Sequence, residues 1–131
     1  MASLAKEIVD SYGALTSVRE GDRLAAGGPV SLTLGFEHGS VLVSAIPDHD
    51  TITVRAVAAA DGQDVSAERP WRDAIGRGLI WIWVLTNQHG HEDGWQLEFG
   101  EVGQDDRPRH LCVQMVVAAS TLRVATVNAW V

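Results

Sequence analysis

Cysteine occurs once in 131 residues, tyrosine once, phenylalanine twice, and Lys6 is the sole lysine. One cysteine excludes an intrachain disulfide and any zinc site built on several thiolates. Cys112 lies within the apolar stretch LCVQMVV, where a free thiol acts as a small core side chain rather than a nucleophile. Positive charge is scarce: 10 basic against 17 acidic residues give a formal charge of −7. Nucleic-acid binding needs clustered Lys and Arg, so it is not expected. An acidic surface instead maintains solubility and steers in a basic protein partner.

Long apolar runs are also missing. None approaches the roughly 20 residues of a membrane helix. The opening MASLAKEIVD places Lys6, Glu7 and Asp10 where a signal peptide would be apolar. The expectation is a soluble, cytoplasmic protein with no membrane contact. There is no G-x-S-x-G elbow, and EGDRLAAGG (20–28) has neither dinucleotide-binding glycine spacing nor a phosphate-loop lysine. No cofactor is implied.

What is present suits one domain over 1–131. Apolar residues make up 46%, charged residues only 21%, which is ample for a core and unlike a disordered chain. Leu4, Ile8 and Tyr12 form one stripe of a helix over 4–12, with Ser3 to cap it and Gly13 to end it. The period then changes to alternation. A first strand is expected at 15–19. VSLTLGF (30–36), VLVSAI (41–46) and TITVRAV (51–57) read as a meander joined by turns at 37–40 and 47–50. Residues 59–69 read as a loop. PWRDAIGRG (70–78) reads as a short helical turn near 70–77, although a helix running on to Asn87 competes with it. LIWIWVLT (79–86) is expected to be a buried strand, WQLEF (95–99) its hairpin partner, and 87–94 the loop between them. After a polar loop at 100–109, HLCVQMVVA (110–118) and TLRVATV (121–127) close the chain as a hairpin. The fold class expected is α+β, mostly antiparallel β. About eight strands form a curved sheet, half-barrel or sandwich with one N-terminal helix.

Chemistry concentrates in NQHGHEDGWQ (87–96). His89, His91 and Asp93 alternate, and on an extended segment they would share one side, an arrangement whose imidazoles and carboxylate suit zinc, nickel or iron. The competing reading is a turn: Asn87 bonds backbone groups, Gly90 and Gly94 permit left-handed conformations, and Asp93-Gly94 is a turn pair. Asp48-His49-Asp50 has the composition of a turn rather than of a general base. The pattern Asn87-x-x-Gly90-His91-x-Asp93-Gly94-x-Gln96-x-Glu98-Phe99, after a Gly-Leu-x-Trp strand, resembles an uncharacterised family of small bacterial proteins. That family shows Asn-x-x-Gly-Tyr-x-Asp-Gly-x-Gln at this point. The resemblance implies a shared fold and no activity; His91 in place of Tyr implies an aromatic-like packing role.

Five tryptophans remain. They are expected mainly in the core. Trp81 and Trp83 fall on one side of their strand, with Ile80, Ile82 and Val84 on the other. One side needs cover from the N-terminal helix or from a partner. Trp130 is expected to dock back or to join a dimer interface.

Two functions follow. The first is a non-enzymatic protein-interaction module, of immunity or accessory type, that binds a partner through an acidic surface; self-association as a homodimer is compatible with it. The second is an enzyme or small-ligand protein with a site at the 87–96 hairpin. The candidate binding residues are Asn87, His91, Asp93, Trp95, Gln96 and Glu98.

Overall fold

A computed structural model describes residues 2–24, 27–46, 50–100 and 110–127. The expected turn at 47–50 is therefore described only at Asp50. Asp48, His49, most of the 100–109 loop and Trp130 lie outside the described residues.

The architecture is a two-sheet antiparallel sandwich, not closed into a barrel. Helix α1 (Ala2–Ser11) is followed by β1 (Leu15–Glu20), β2 (Ser31–Phe36), β3 (Gly39–Ile46), β4 (Thr51–Val57), β5 (Gln63–Asp64), a 3-10 turn (Trp71–Asp73), β6 (Leu79–Thr86), β7 (Glu92–Phe99), β8 (Leu111–Ala118) and β9 (Thr121–Thr126). The first sheet has the order β4-β3-β2-β1-β5, the second β6-β7-β8-β9. Strand β4 packs over β7 and β8, and β3 over β9. The core lies between the sheets. Leu32, Leu34, Val41 and Val43 meet Leu97, Phe99, Val113 and Met115, all fully buried. Each such side chain contributes about 1.5–3 kcal/mol relative to exposure.

The helical stripe does what its spacing implies. Ile8 and Tyr12 enter the core, and Leu4 packs against it. Tyr12 sits edge-on to Phe36 with ring centroids 5.8 Å apart. Gly13, at φ +79, ends the helix. A Cβ there would lie 2.7 Å from Glu37 Oε1, which accepts the Ala14 N–H at 2.7 Å. The helix end is thereby tied to the β2–β3 turn.

Three local expectations change. The 59–69 loop contains β5, which pairs with Arg19 and Glu20 of β1. It forms because Ser66 grips Val18, accepting its N–H at 2.9 Å. The described residues hold nine strands, in keeping with the expected count of about eight. The helical turn is confined to Trp71–Asp73; Gly76, at φ +88, stops any continuation, and Ala14 then bridges Gly78. The third change concerns β6. Only Leu79 of this strand is buried, because β6 has a neighbour on one side alone.

The closing hairpin turns at Ala119-Ser120, with φ +50 and +67. Two left-handed central residues match the right-handed twist of the flanking strands. Among the described residues, no helix is long and apolar enough to cross a membrane.

Candidate functional site

The β6–β7 hairpin carries every singled-out residue of 87–98, and the fold distributes them. Asn87 closes the turn. Its Oδ1 accepts the His89 N–H at 2.9 Å and the His91 N–H at 3.2 Å, while its own N–H donates to the His91 carbonyl at 2.9 Å. Gly90 supplies the left-handed residue at φ +81. His89 and His91 are both exposed, ring centroids 6.5 Å apart. His91 therefore stands in solvent and does not pack as an aromatic residue. Because His89 lies in the turn, it does not continue an extended row with His91 and Asp93. Among the described residues, no three His, Cys, Asp or Glu side chains come together as a metal site.

Asp93 and Gly94 do not form a turn, since β7 already begins at Glu92. Thr86 pairs with Glu92 and Leu85 with Gly94, so Asp93 is the extra residue of a bulge. Gly94 is needed for a different reason than a turn: a Cβ there would lie 2.6 Å from the Met115 carbonyl of β8. Further along, Trp95 is buried, whereas Gln96 and Glu98 project to the opposite, outer face. The six candidate binding residues thus occupy a turn, a bulge, the core and an outer face, and do not line one pocket.

The outer face of the second sheet is ordered by register. Trp81, Glu98 and Cys112 stand in one row; Trp83, Gln96, Gln114 and Ala125 stand in the next. Trp83 Nε1 donates to Glu98 Oε2 at 3.0 Å, and Gln114 Nε2 donates to Gln96 Oε1 at 3.2 Å. Trp81 and Trp83 lie 5.7 Å apart, tilted by 49°. Cys112 sits low in this face. Burial pushes its thiol above the ordinary value, the Glu98 charge adds to the rise, and a Gln96 hydrogen bond opposes it. A thiol held protonated is a poor nucleophile.

The more informative surface is the free side of β6. Ile80, Trp81, Trp83 and Val84 are 52%, 54%, 44% and 42% exposed. Helix α1 runs beside the strand without covering it. Between them lies a groove of about 430 Å³ lined by Ala5, Lys6, Val9, Ile80, Ile82 and Val84. Ile82 packs partly against the core. The helix thus gives only part of the cover that the apolar pattern demands, and the strand's outer edge makes no backbone pairing among the described residues. Expecting the tryptophans in the core holds for Trp71 and Trp95, at 3% and 5% exposure, and fails for Trp81 and Trp83. The sequence assigns Trp81 and Trp83 to one side and Ile80, Ile82 and Val84 to the other, but not that residues of both sides are exposed.

A second groove of about 560 Å³, beside β9, holds Arg23, Arg69, Trp71 and Arg123 along with Glu20 and Glu68. Its charge is mixed, and Arg23 is already paired to Glu20 at 2.7 Å.

A family of unknown function (DUF6334) matches residues 8–130. The chain belongs to this family. The DUF6334 match covers both sheets, the hairpin and the β6 edge alike, so the uncharacterised-family expectation holds at that level. Searches of curated proteins and of solved structures find no match. DUF6334 membership assigns no activity to the chain.

Proposed function

We propose that this chain is a small cytoplasmic protein-interaction module, of accessory or immunity type and bacterial origin, with its docking surface at β6. One observation carries this reading. An eight-residue edge strand with no charged residue exposes four large apolar side chains. Large apolar side chains exposed on both sides of one strand are an unusual surface for a polar protein and point to an interaction site. Unpaired strand edges are templates for a further strand. The formal charge of −7 adds long-range steering toward a basic partner.

The signature Asn-x-x-Gly-Tyr/His-x-Asp-Gly-x-Gln belongs to the same reading as a hairpin-shaping pattern. Asn87 and Gly90 build the turn, and Gly94 lets β8 approach. They set the geometry of the strand that docks rather than touching a ligand. The alternative, a ligand site at the hairpin, has less support because Asn87, Asp93, Trp95 and Glu98 diverge.

The test is comparative capture. Immobilised wild-type protein and Trp83→Lys are exposed to cell lysate at low and moderate salt. The reading expects a bound protein on the wild type that is absent, or reduced at least tenfold, on Trp83→Lys. Equal capture by both would remove β6 as the docking surface.

A further inference from the structure

Resting on the reading of β6 as a docking surface, we infer that its occupant is the β6 strand of a second copy, paired antiparallel about a two-fold axis between Ile82 and its copy.

The four sheet edges differ in how they are protected. Natural edge strands are guarded by charge, brevity or irregularity. Strand β4 exposes Arg55 and β9 exposes Arg123. The edge formed by β5 is only two residues long and includes Asp64. Strand β6 is the least guarded: it runs for eight residues, LIWIWVLT, without a charge or proline, and α1 beside it leaves four of its apolar side chains exposed. Its irregularities fall at the ends, between Leu79 and Trp81 and between Leu85 and Thr86; register is regular from Trp81 to Leu85. An exposed, regular, apolar edge either aggregates or is paired.

The strand is also complementary to itself. When a two-fold axis stands perpendicular to the sheet, opposed residues share a face, so the axis must lie midway between two copies of one residue. Centred on Ile82, Trp81 opposes Trp83 of the copy, and Ile80, the extra residue of the bulge against β7, comes beside Val84 of the copy. No other centre pairs all four exposed side chains with one another. Cross-strand aromatic pairs and pairs of branched aliphatics are the favourable ones on a sheet. The join would make one continuous eight-stranded sheet.

Charge opposes a second copy everywhere but at this strand. Two copies each carrying −7 repel over most of their surface. They can approach where charge is absent, and β6 is such a place. At its rim, Lys6 is already bonded to Asp10. Area sets the strength. A large side chain presents roughly 150–250 Å², so four about half exposed offer on the order of 400 Å² per copy. That is about half of the roughly 800 Å² per partner in a standard interface. The unpaired backbone of β6 adds its hydrogen bonds to this small area. The expected dimer is therefore reversible, forming in the micromolar range.

The experiment has two parts. Light scattering on the full chain should give twice 14.1 kDa at high concentration and the monomer on dilution. Trp83→Lys should stay monomeric, with an unchanged circular dichroism spectrum and an unfolding midpoint close to that of the diluted, monomeric wild type. Register is read by disulfide trapping in a Cys112→Ala background. Directly opposed positions have Cβ atoms about 4.5–5.5 Å apart and diagonal ones about 7–8 Å. Trp81→Cys mixed with mass-tagged Trp83→Cys should cross-link at least tenfold more than either variant alone. A monomer at all concentrations overturns the inference, as does a Trp83→Lys dimer or equal trapping within single variants. If the wild-type monomer captures another protein that Trp83→Lys does not, only the second-copy assignment fails. If it captures nothing, the interaction reading fails with it.

Discussion

Asn87 shows how one side chain sets the shape of the candidate surface. It accepts two backbone N–H bonds and so fixes where β6 ends and β7 begins. Asn87→Ala should lower stability by about 1 kcal/mol, the usual net worth of such bonds. Asn87→Asp, which keeps the acceptor, should retain most of it. Urea midpoints of the two variants check this; an Asn87→Ala midpoint equal to wild type would show that water satisfies the turn as well as Asn87 does. Cys112 makes a pH-dependent contribution. Burial, aided by Glu98, raises its pKa in the folded protein, so the folded state holds the proton more tightly. That stability is complete below the ordinary thiol value of about 8.5 and is lost as pH rises through the folded value. Stability measured through this alkaline range should fall more steeply for wild type than for Cys112→Ala. Parallel curves would contradict the shift.

At the scale of elements, tryptophans divide by strand. Trp71→Ala and Trp95→Ala should each cost about 3–5 kcal/mol, as for other buried aromatics. Trp81→Ser and Trp83→Ser should cost less than about 1 kcal/mol, as on other exposed surfaces. Denaturation of the four variants at a concentration that keeps the chain monomeric decides it, and similar costs for all four would mean β6 is covered. This division was only half legible in the sequence. The alternation of Leu32, Leu34 and Phe36 and the stripe of Ile8 and Tyr12 point to their places in the core because a single period encodes a single buried face. LIWIWVLT has apolar residues on both faces, which says that both want cover but not how many neighbours the strand has. Strand β5 was illegible for another reason: Gln63 and Asp64 have no strand preference, and pairing is imposed by contacts with β1, including the close approach of Gly62 to the Glu20 carbonyl. Asp93-Gly94 has turn composition, yet Gly94 is there because β8 comes close. Composition alone does not separate those two demands on glycine.

At the scale of the whole molecule, acidity and the bare apolar edge act in opposite directions. Like charge keeps copies apart, and β6 supplies a short uncharged seam where they can meet. Added salt should therefore strengthen self-association by screening repulsion, while it weakens capture of a basic partner. The dimer's salt dependence is read by sedimentation, and a dimer that dissociates as salt rises would place charged groups rather than β6 at its seam. The most direct measurement is amide hydrogen exchange along the chain as protein concentration is raised. The account predicts that protection will increase across 80–86 and leave β4, β5 and β9, the other three edges, unchanged. Protection that rises at one of those edges, or an 80–86 segment that is indifferent to concentration and to a captured partner, would contradict it.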